Sequence, residues 1–177
     1  MRHGPGFRLA EGVEIRTADP SDWEAIWPFW SAIVDAGETY AYPEPARFDA
    51  GRELWFEPPP AETVVAVDGT RVVGSAKMGP NRPGRGAHIA TASFMVDPAV
   101  QGRGIGRALG EYVVDRARES GYRGMQFNAV AETNVGAVRL WQSLGFTILT
   151  TVPGAFDHRT NGLVGLHVMF QEFTPHD

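Results

Sequence analysis

The sequence predicts an α+β fold, a mixed and mostly antiparallel sheet with helices on both faces. Two apolar runs, residues 64–67 and 71–78, flank Asp68-Gly69 and read as a hairpin. Apolar residues at helical spacing mark residues 23–34 and 105–117. The order after residue 88 is strand, helix, strand, helix, strand, strand, which lacks the strict alternation of a doubly wound sheet.

The elements follow in order. Residues 1–12 contain no apolar stretch of the kind a signal peptide carries and are expected to form a flexible tail ahead of one domain, 13–177. Val13-Glu14-Ile15-Arg16 alternates like a first strand, and Asp19, Ser21 and Asp22 supply caps for a helix. Trp23, Ile26, Trp27, Trp30, Ile33 and Val34 share one face of that helix and are expected to be core; Pro28 should kink or divide it. Gly37 can end the helix, Glu38 to Pro43 follow as loop, and Pro58-Pro59-Pro60 is a spacer. The hairpin follows, then a basic turn at 79–86 and a third antiparallel strand at 88–96. A helix runs from Arg107 towards Gly121, residues 125–130 form a strand, residues 134–144 a short helix, and residues 146–152 and 163–173 the last two strands.

The 177 residues, 43% of them hydrophobic, suffice for one core. A formal charge of −5 argues against a nucleic-acid surface. Without cysteine there is no disulfide, thiol nucleophile or thiolate metal site, and the five histidines have no metal-ligand spacing, so no metal is expected. No run of about 20 apolar residues is present to cross a membrane. The expectation is a soluble, cytoplasmic protein.

The most informative stretch is Gln101-Gly102-Arg103-Gly104-Ile105-Gly106, placed after the strand end at Phe94, Met95 and Val96 and opening a helix. Glycines let the backbone take positive φ and bring its N–H groups against a ligand, and the helix start adds a positive dipole end. Arg103 and Arg107 add guanidinium groups, so an anion is expected. A P-loop would need Lys and then Ser or Thr where Arg107 and Ala108 stand, and a dinucleotide fingerprint would need glycine at Leu109. Nucleoside triphosphates and nicotinamide or flavin cofactors are disfavoured.

Gln101, Gly104 and Gly106 after Asp97-Pro98 resemble the acetyl-CoA loop of the GCN5-related N-acetyltransferases, and residues 133–146, from Thr133-Asn134 to Leu144-Gly145-Phe146, resemble that family's second cofactor segment. The likeness covers roughly residues 64–173. It implies acetyl-CoA as cosubstrate, with Phe94, Met95, Val96, Gln101, Gly102, Arg103, Gly104, Ile105, Gly106, Arg107, Asn128, Asn134, Ala137 and Trp141 around it, and direct transfer to an amine. A backbone N–H at the end of the central strand, of Met95 or Val96, would polarise the thioester oxygen.

Phe127-Asn128 and Thr133-Asn134-Val135 are similar to the azetidine-carboxylate branch, and Glu38-Thr39 to an element of the phosphinothricin type. Both likenesses imply a small amino or imino acid as acceptor. Glu38 is the candidate base or ammonium ligand, with Glu132 and His88 behind it. Trp141 stands where many relatives carry a tyrosine that protonates the leaving thiolate, and indole N–H is a far poorer acid. Tyr40 and Tyr42 are candidate substitutes, or walls of the pocket. Three alternatives share the cofactor site: an aminoglycoside acetyltransferase with Glu38, Glu44, Asp49 and Glu53 as an acidic mouth, a protein N-terminal acetyltransferase, and a non-catalytic acyl-CoA-binding domain. A second copy of the chain is the macromolecular partner left open.

Overall fold

In the computed structural model, which describes residues 12–173, the elements run β1 (Val13–Thr17), α1 (Trp23–Ala36), α2 (Phe48–Trp55), β2 (Glu62–Asp68), β3 (Arg71–Pro80), β4 (Ile89–Val96), α3 (Ile105–Glu119), β5 (Gly124–Ala131), α4 (Val135–Ser143), β6 (Thr147–His158) and β7 (Gly162–Glu172). The expected tail lies, apart from Gly12, outside the described residues. The strands form one sheet in the order β1-β2-β3-β4-β5-β7-β6. Neighbours pair antiparallel except β4 and β5, which run parallel.

The entry to α1 is locked by charge. Asp19 accepts from the Ser21 N–H at 2.9 Å, Asp22 accepts from the Asp19 N–H at 2.7 Å, and Arg16 grips both Asp22 oxygens at 2.8 and 2.9 Å. The Arg16 guanidinium holds the Asp22 carboxyl below its ordinary range. The apolar stripe behaves as core: Trp23, Ile26, Trp30 and Val34 are buried, and Trp27 is half-buried with its ring 5.9 Å from that of Trp30. Pro28 does not divide the helix. It removes the N–H that would bond the Glu24 carbonyl, but both residues are exposed, so water can take that carbonyl over.

Two helices pack on each face. Trp23, Trp30, Val34, Trp55, Val65, Val72 and Met95 form the cluster under α1 and α2; Val73, Ala76, Leu109, Val113, Met125, Phe127 and Trp141 belong to the cluster under α3 and α4. The sheet side of each residue follows from the period of two along a strand.

Helix α2 has no signal in the sequence pattern. Eight residues with one glycine are too short for apolar periodicity to declare a helix. Tertiary contacts hold it: a Cβ on Gly51 would sit 2.8 Å from the Trp30 ring, so only glycine lets α2 approach α1 this closely. The Trp55 indole N–H donates to Ser75 Oγ at 2.8 Å, Ser75 donates to the Val64 carbonyl at 2.8 Å, and Thr63 donates to the Trp55 carbonyl at 2.9 Å. The β2–β3 turn is Gly69-Thr70, one residue beyond the expected centre, because Asp68 pairs with Arg71 and Gly69 supplies the φ of 61°. Strand β6 runs six residues past its expected end, to His158.

Ser75 is fully buried, so Ser75→Ala leaves the Trp55 indole N–H without a partner in the core. The expected loss is about 1–3 kcal/mol of unfolding free energy, read from urea denaturation midpoints at unchanged slope.

Candidate active site

The site is built on a split in the sheet. β3 and β4 pair along seven register positions, from Gly74 with Val96 to Pro80 with Ala90, whereas β4 and β5 pair only at Ile89 with Gly124 and Ala90 with Met125. Beyond Ala90 the two strands part. Along an antiparallel pair, residues alternate between bonding the neighbour and facing away. Asp97 N–H bonds the Val73 carbonyl at 2.9 Å, so the odd-numbered residues Thr91, Ser93 and Met95 bond β3, and Ala92, Phe94 and Val96 turn their backbone groups into the split.

This phase corrects one expectation. Met95 N–H belongs to the β3 ladder and its side chain is buried beneath α1, so it cannot polarise a thioester. Phe94 and Val96 are the residues of that trio that face the gap.

The glycine loop lies at the open end of the split. Gln101, Gly102, Arg103 and Gly104 are exposed, and Gly102 and Gly104 have φ of 82° and 78°. A Cβ on either would meet nothing within 4 Å, so the space in front of them is free for a ligand. Gly104 caps α3 and its carbonyl accepts from the Ala108 N–H at 3.0 Å; the N–H groups of Ile105, Gly106 and Arg107 precede the first intrahelical bond. Ile105 itself is buried and anchors the turn. Gly106 needs no special φ, and a Cβ there would stand at ordinary distances of 3.7 Å from Leu140 and 3.8 Å from Val96. Arg103 pairs with Asp68 at 2.9 Å, while Arg107 donates to Ser143 Oγ at 2.8 Å and lies 3.6 Å from Glu111. Both guanidinium groups are held at the loop by neighbours yet remain about half exposed.

Asn134 caps α4, its Oδ1 accepting from the Ala137 N–H at 3.4 Å. Trp141, two turns on, is buried, with its ring 4.6 Å from Phe94 and 4.9 Å from Phe127, so it fills the wedge between the parted strands. Asn128 is placed differently from the expectation of a cofactor ligand. It follows buried Phe127 at a bulge, donates to Asn81 at 2.6 Å and accepts from Gln126 at 2.9 Å. Asn128 is exposed, and its amide keeps a second N–H beyond these contacts.

On the α1 side, Gly37 ends α1 with φ of 65° and residues 38–47 cross towards β4. Glu38 is exposed and makes no hydrogen bond or ion pair among the described residues. Tyr40 is half-buried; its hydroxyl donates to the Phe94 carbonyl at 2.6 Å and accepts from the Phe94 N–H at 2.9 Å. Its ring stacks on Tyr42 at 5.5 Å, and Tyr42 stacks on Trp30 at 5.4 Å. Burial pushes the Tyr40 phenol well above its ordinary range. The hydroxyl thus closes both backbone groups of Phe94, a partnership that the local sequence does not disclose.

Arg159, on the β6–β7 turn, was not singled out in the sequence. It donates to the Asp35 carbonyl at 3.1 Å and the Ala36 carbonyl at 3.4 Å, pairs with Glu44, and its own N–H bonds the Gly37 carbonyl at 2.9 Å. Local sequence holds no signal for it, since its partners lie more than a hundred residues away. Glu132 is tied to the Gly165 N–H at 2.6 Å, and His88 is exposed at the start of β4. Asp49 and Glu53 line a separate depression of about 560 Å³ with Pro20, Arg52 and Phe56. The four carboxylates proposed for an acidic mouth do not converge.

Residues 23–146 match the model of the acetyltransferase (GNAT) family. The chain belongs to this family. A GCN5-related N-acetyltransferase from Kribbella flavida superposes with a TM-score of 0.89 at 54% identity, over 92% of this chain and 99% of that one. A putative acetyltransferase from Salmonella typhimurium, solved with its cofactor acetyl-CoA, gives 0.78 at 26% identity over 93% and 96%. In sequence, the L-methionine sulfoximine/L-methionine sulfone acetyltransferase of Salmonella typhimurium is 31% identical over 80% of this chain and 84% of its own length. The mycothiol acetyltransferase of Geodermatophilus obscurus is 34% identical over 81% of this chain but 47% of its own length. The chain spans less than half the length of the first curated relatives it matches.

Since a Cβ at position 106 meets no clash, Gly106→Ala should leave the melting temperature near wild type while crowding a ligand on the loop. Acetyl-CoA affinity should fall about tenfold or more, as for one charge-assisted backbone hydrogen bond, in isothermal titration calorimetry.

Proposed function

We propose that the protein transfers an acetyl group from acetyl-CoA directly to the amine of a small amino or imino acid in the cytoplasm. The observation that carries this reading is the continuity of the open glycine loop with the β4–β5 split: an anion held by the N–H groups of residues 102–107 has its attached arm led between parted strands, past the backbone groups of Val96 that face the gap. An acyl-CoA has that form, a pyrophosphate followed by an amide-bearing arm that ends in a thioester.

The acceptor enters from the side of Glu38, Tyr40 and Tyr42. An alkyl ammonium with pKa near 10.4 needs about 4.6 kcal/mol to lose its proton at pH 7. Exposed Glu38 offers that proton a base through water, or holds the ammonium at the pocket mouth. The 31% identity to an enzyme named for two methionine derivatives, matched over most of that enzyme's length, supports an amino-acid acceptor. The dispersal of Glu44, Asp49 and Glu53 weighs against a polycationic aminoglycoside.

The test is release of free CoA from acetyl-CoA with amino acids, imino acids, polyamines, aminoglycosides and peptides in parallel. Turnover above background is expected with small amino or imino acids; a preference for any other class rejects the acceptor assignment, and binding without turnover rejects catalysis. Glu38→Gln should lower kcat/KM about a hundredfold or more if Glu38 is the base and remove the acidic limb of its pH profile. An unchanged profile assigns Glu38 no proton-transfer role.

A further inference from the structure

His158 is a buried imidazole that acetyl transfer leaves unused. It is 7% exposed and ends β6, paired with Gly162 across the turn Arg159-Thr160-Asn161. Its Nδ1 accepts from the Thr160 N–H and the Asn161 N–H, each at 3.2 Å, and the Thr160 hydroxyl lies 3.3 Å away. Backbone donors on Nδ1 leave that nitrogen bare, so the ring proton is on Nε2 and the imidazole is neutral. The three turn residues are exposed. Without the imidazole their N–H groups would turn to water, and the turn would lose the acceptor that fixes its shape.

What this turn carries is Arg159. Its N–H bonds the Gly37 carbonyl at 2.9 Å, Nη2 donates to the Asp35 carbonyl at 3.1 Å and pairs with Glu44, and a Cβ on Gly37 would stand 3.0 Å from both Nε and Nη2. One residue thus binds the end of α1 by backbone and by side chain at once, and both contacts depend on the backbone angles of the turn. The Asp35 carboxylate accepts from the Ala46 N–H at 2.8 Å, which closes the same loop from its far end.

We propose that His158 is a positioning residue for the acceptor pocket: its Nδ1 sets the β6–β7 turn, the turn sets Arg159, and Arg159 fixes residues 37–46, where Glu38 and Tyr40 stand. The inference rests on the reading that the acceptor enters beside those two residues and adds the device that holds them. Among the described residues, none of these contacts reaches the glycine loop, so the device acts on the acceptor and not on acetyl-CoA.

Hydrogen exchange and kinetics test this with three variants. His158→Asn keeps an acceptor oxygen near the place of Nδ1, His158→Leu keeps apolar bulk without an acceptor, and Arg159→Met keeps the turn without the guanidinium. In His158→Leu, amide exchange should rise about tenfold at Thr160, Asn161 and residues 37–46; in His158→Asn it should return towards wild type. Faster exchange confined to the turn overturns the proposal, and so does a His158→Asn that behaves like His158→Leu. With the most active amine of the CoA-release panel, KM for the amine should rise about tenfold in His158→Leu and in Arg159→Met, with acetyl-CoA affinity near wild type. The double variant should be no worse than either single one. Additive losses, or an equal loss of acetyl-CoA affinity, overturn the proposal. Where His158→Leu does not fold, Arg159→Met decides: a raised amine KM supports the proposal and an unchanged one overturns it. Absence of turnover with every amine sinks the acceptor reading, while exchange at residues 37–46 still decides whether His158 sets that loop.

Discussion

The parting of β4 from β5 after two register pairs is the constraint on which the rest of the site depends. A sheet interior normally gives every backbone N–H and carbonyl a partner, and leaving one buried and unpaired costs about 1–3 kcal/mol. The split therefore has to be filled or offered to a ligand. Trp141 wedges between Phe94 and Phe127 on one face, and Tyr40 bonds both backbone groups of Phe94 from the other. Of the other backbone groups facing the gap, those of Val96 lie beside the glycine loop, where a linear, amide-bearing ligand can act as the absent strand.

The loop on the α1 side of the split is held from two directions. Arg159 reaches across from the β6–β7 turn to take the last carbonyls of α1 and to pair with Glu44, while Tyr40 fixes the same loop to β4. Residues 38–47 have no regular structure of their own, yet they are tied at both ends to rigid elements. A loop so restrained presents Glu38 to solvent while keeping Tyr40 and Tyr42 at fixed places.

On the cofactor side the chemistry is mostly backbone. Arg103 and Arg107 already have partners in Asp68, Glu111 and Ser143, so their charge is positioned but partly offset. The positive-φ glycines and the first N–H groups of α3 are open to an anion, since no side chain stands in front of Gly102 or Gly104. This explains how a chain of net charge −5 can hold an anionic cosubstrate.

The sequence by itself determined whatever depends on local chemistry. Positive-φ glycines before a helix, caps at Asp19 and Asn134, an apolar stripe of tryptophans and an alternating hairpin are written in neighbouring residues, so the sheet, the glycine loop and the family were legible. It could not show α2, whose eight residues are held by contacts of Gly51 and Trp55 with elements distant in sequence. Nor could it tell Met95 from its neighbours, because which N–H faces the split depends on register with β3. The partners of Tyr40 and Arg159, 54 and more than 110 residues away, were decided by the tertiary structure alone. Hydrogen bonds between distant segments leave no periodicity in the chain; they exist only once the sheet has set the two segments side by side.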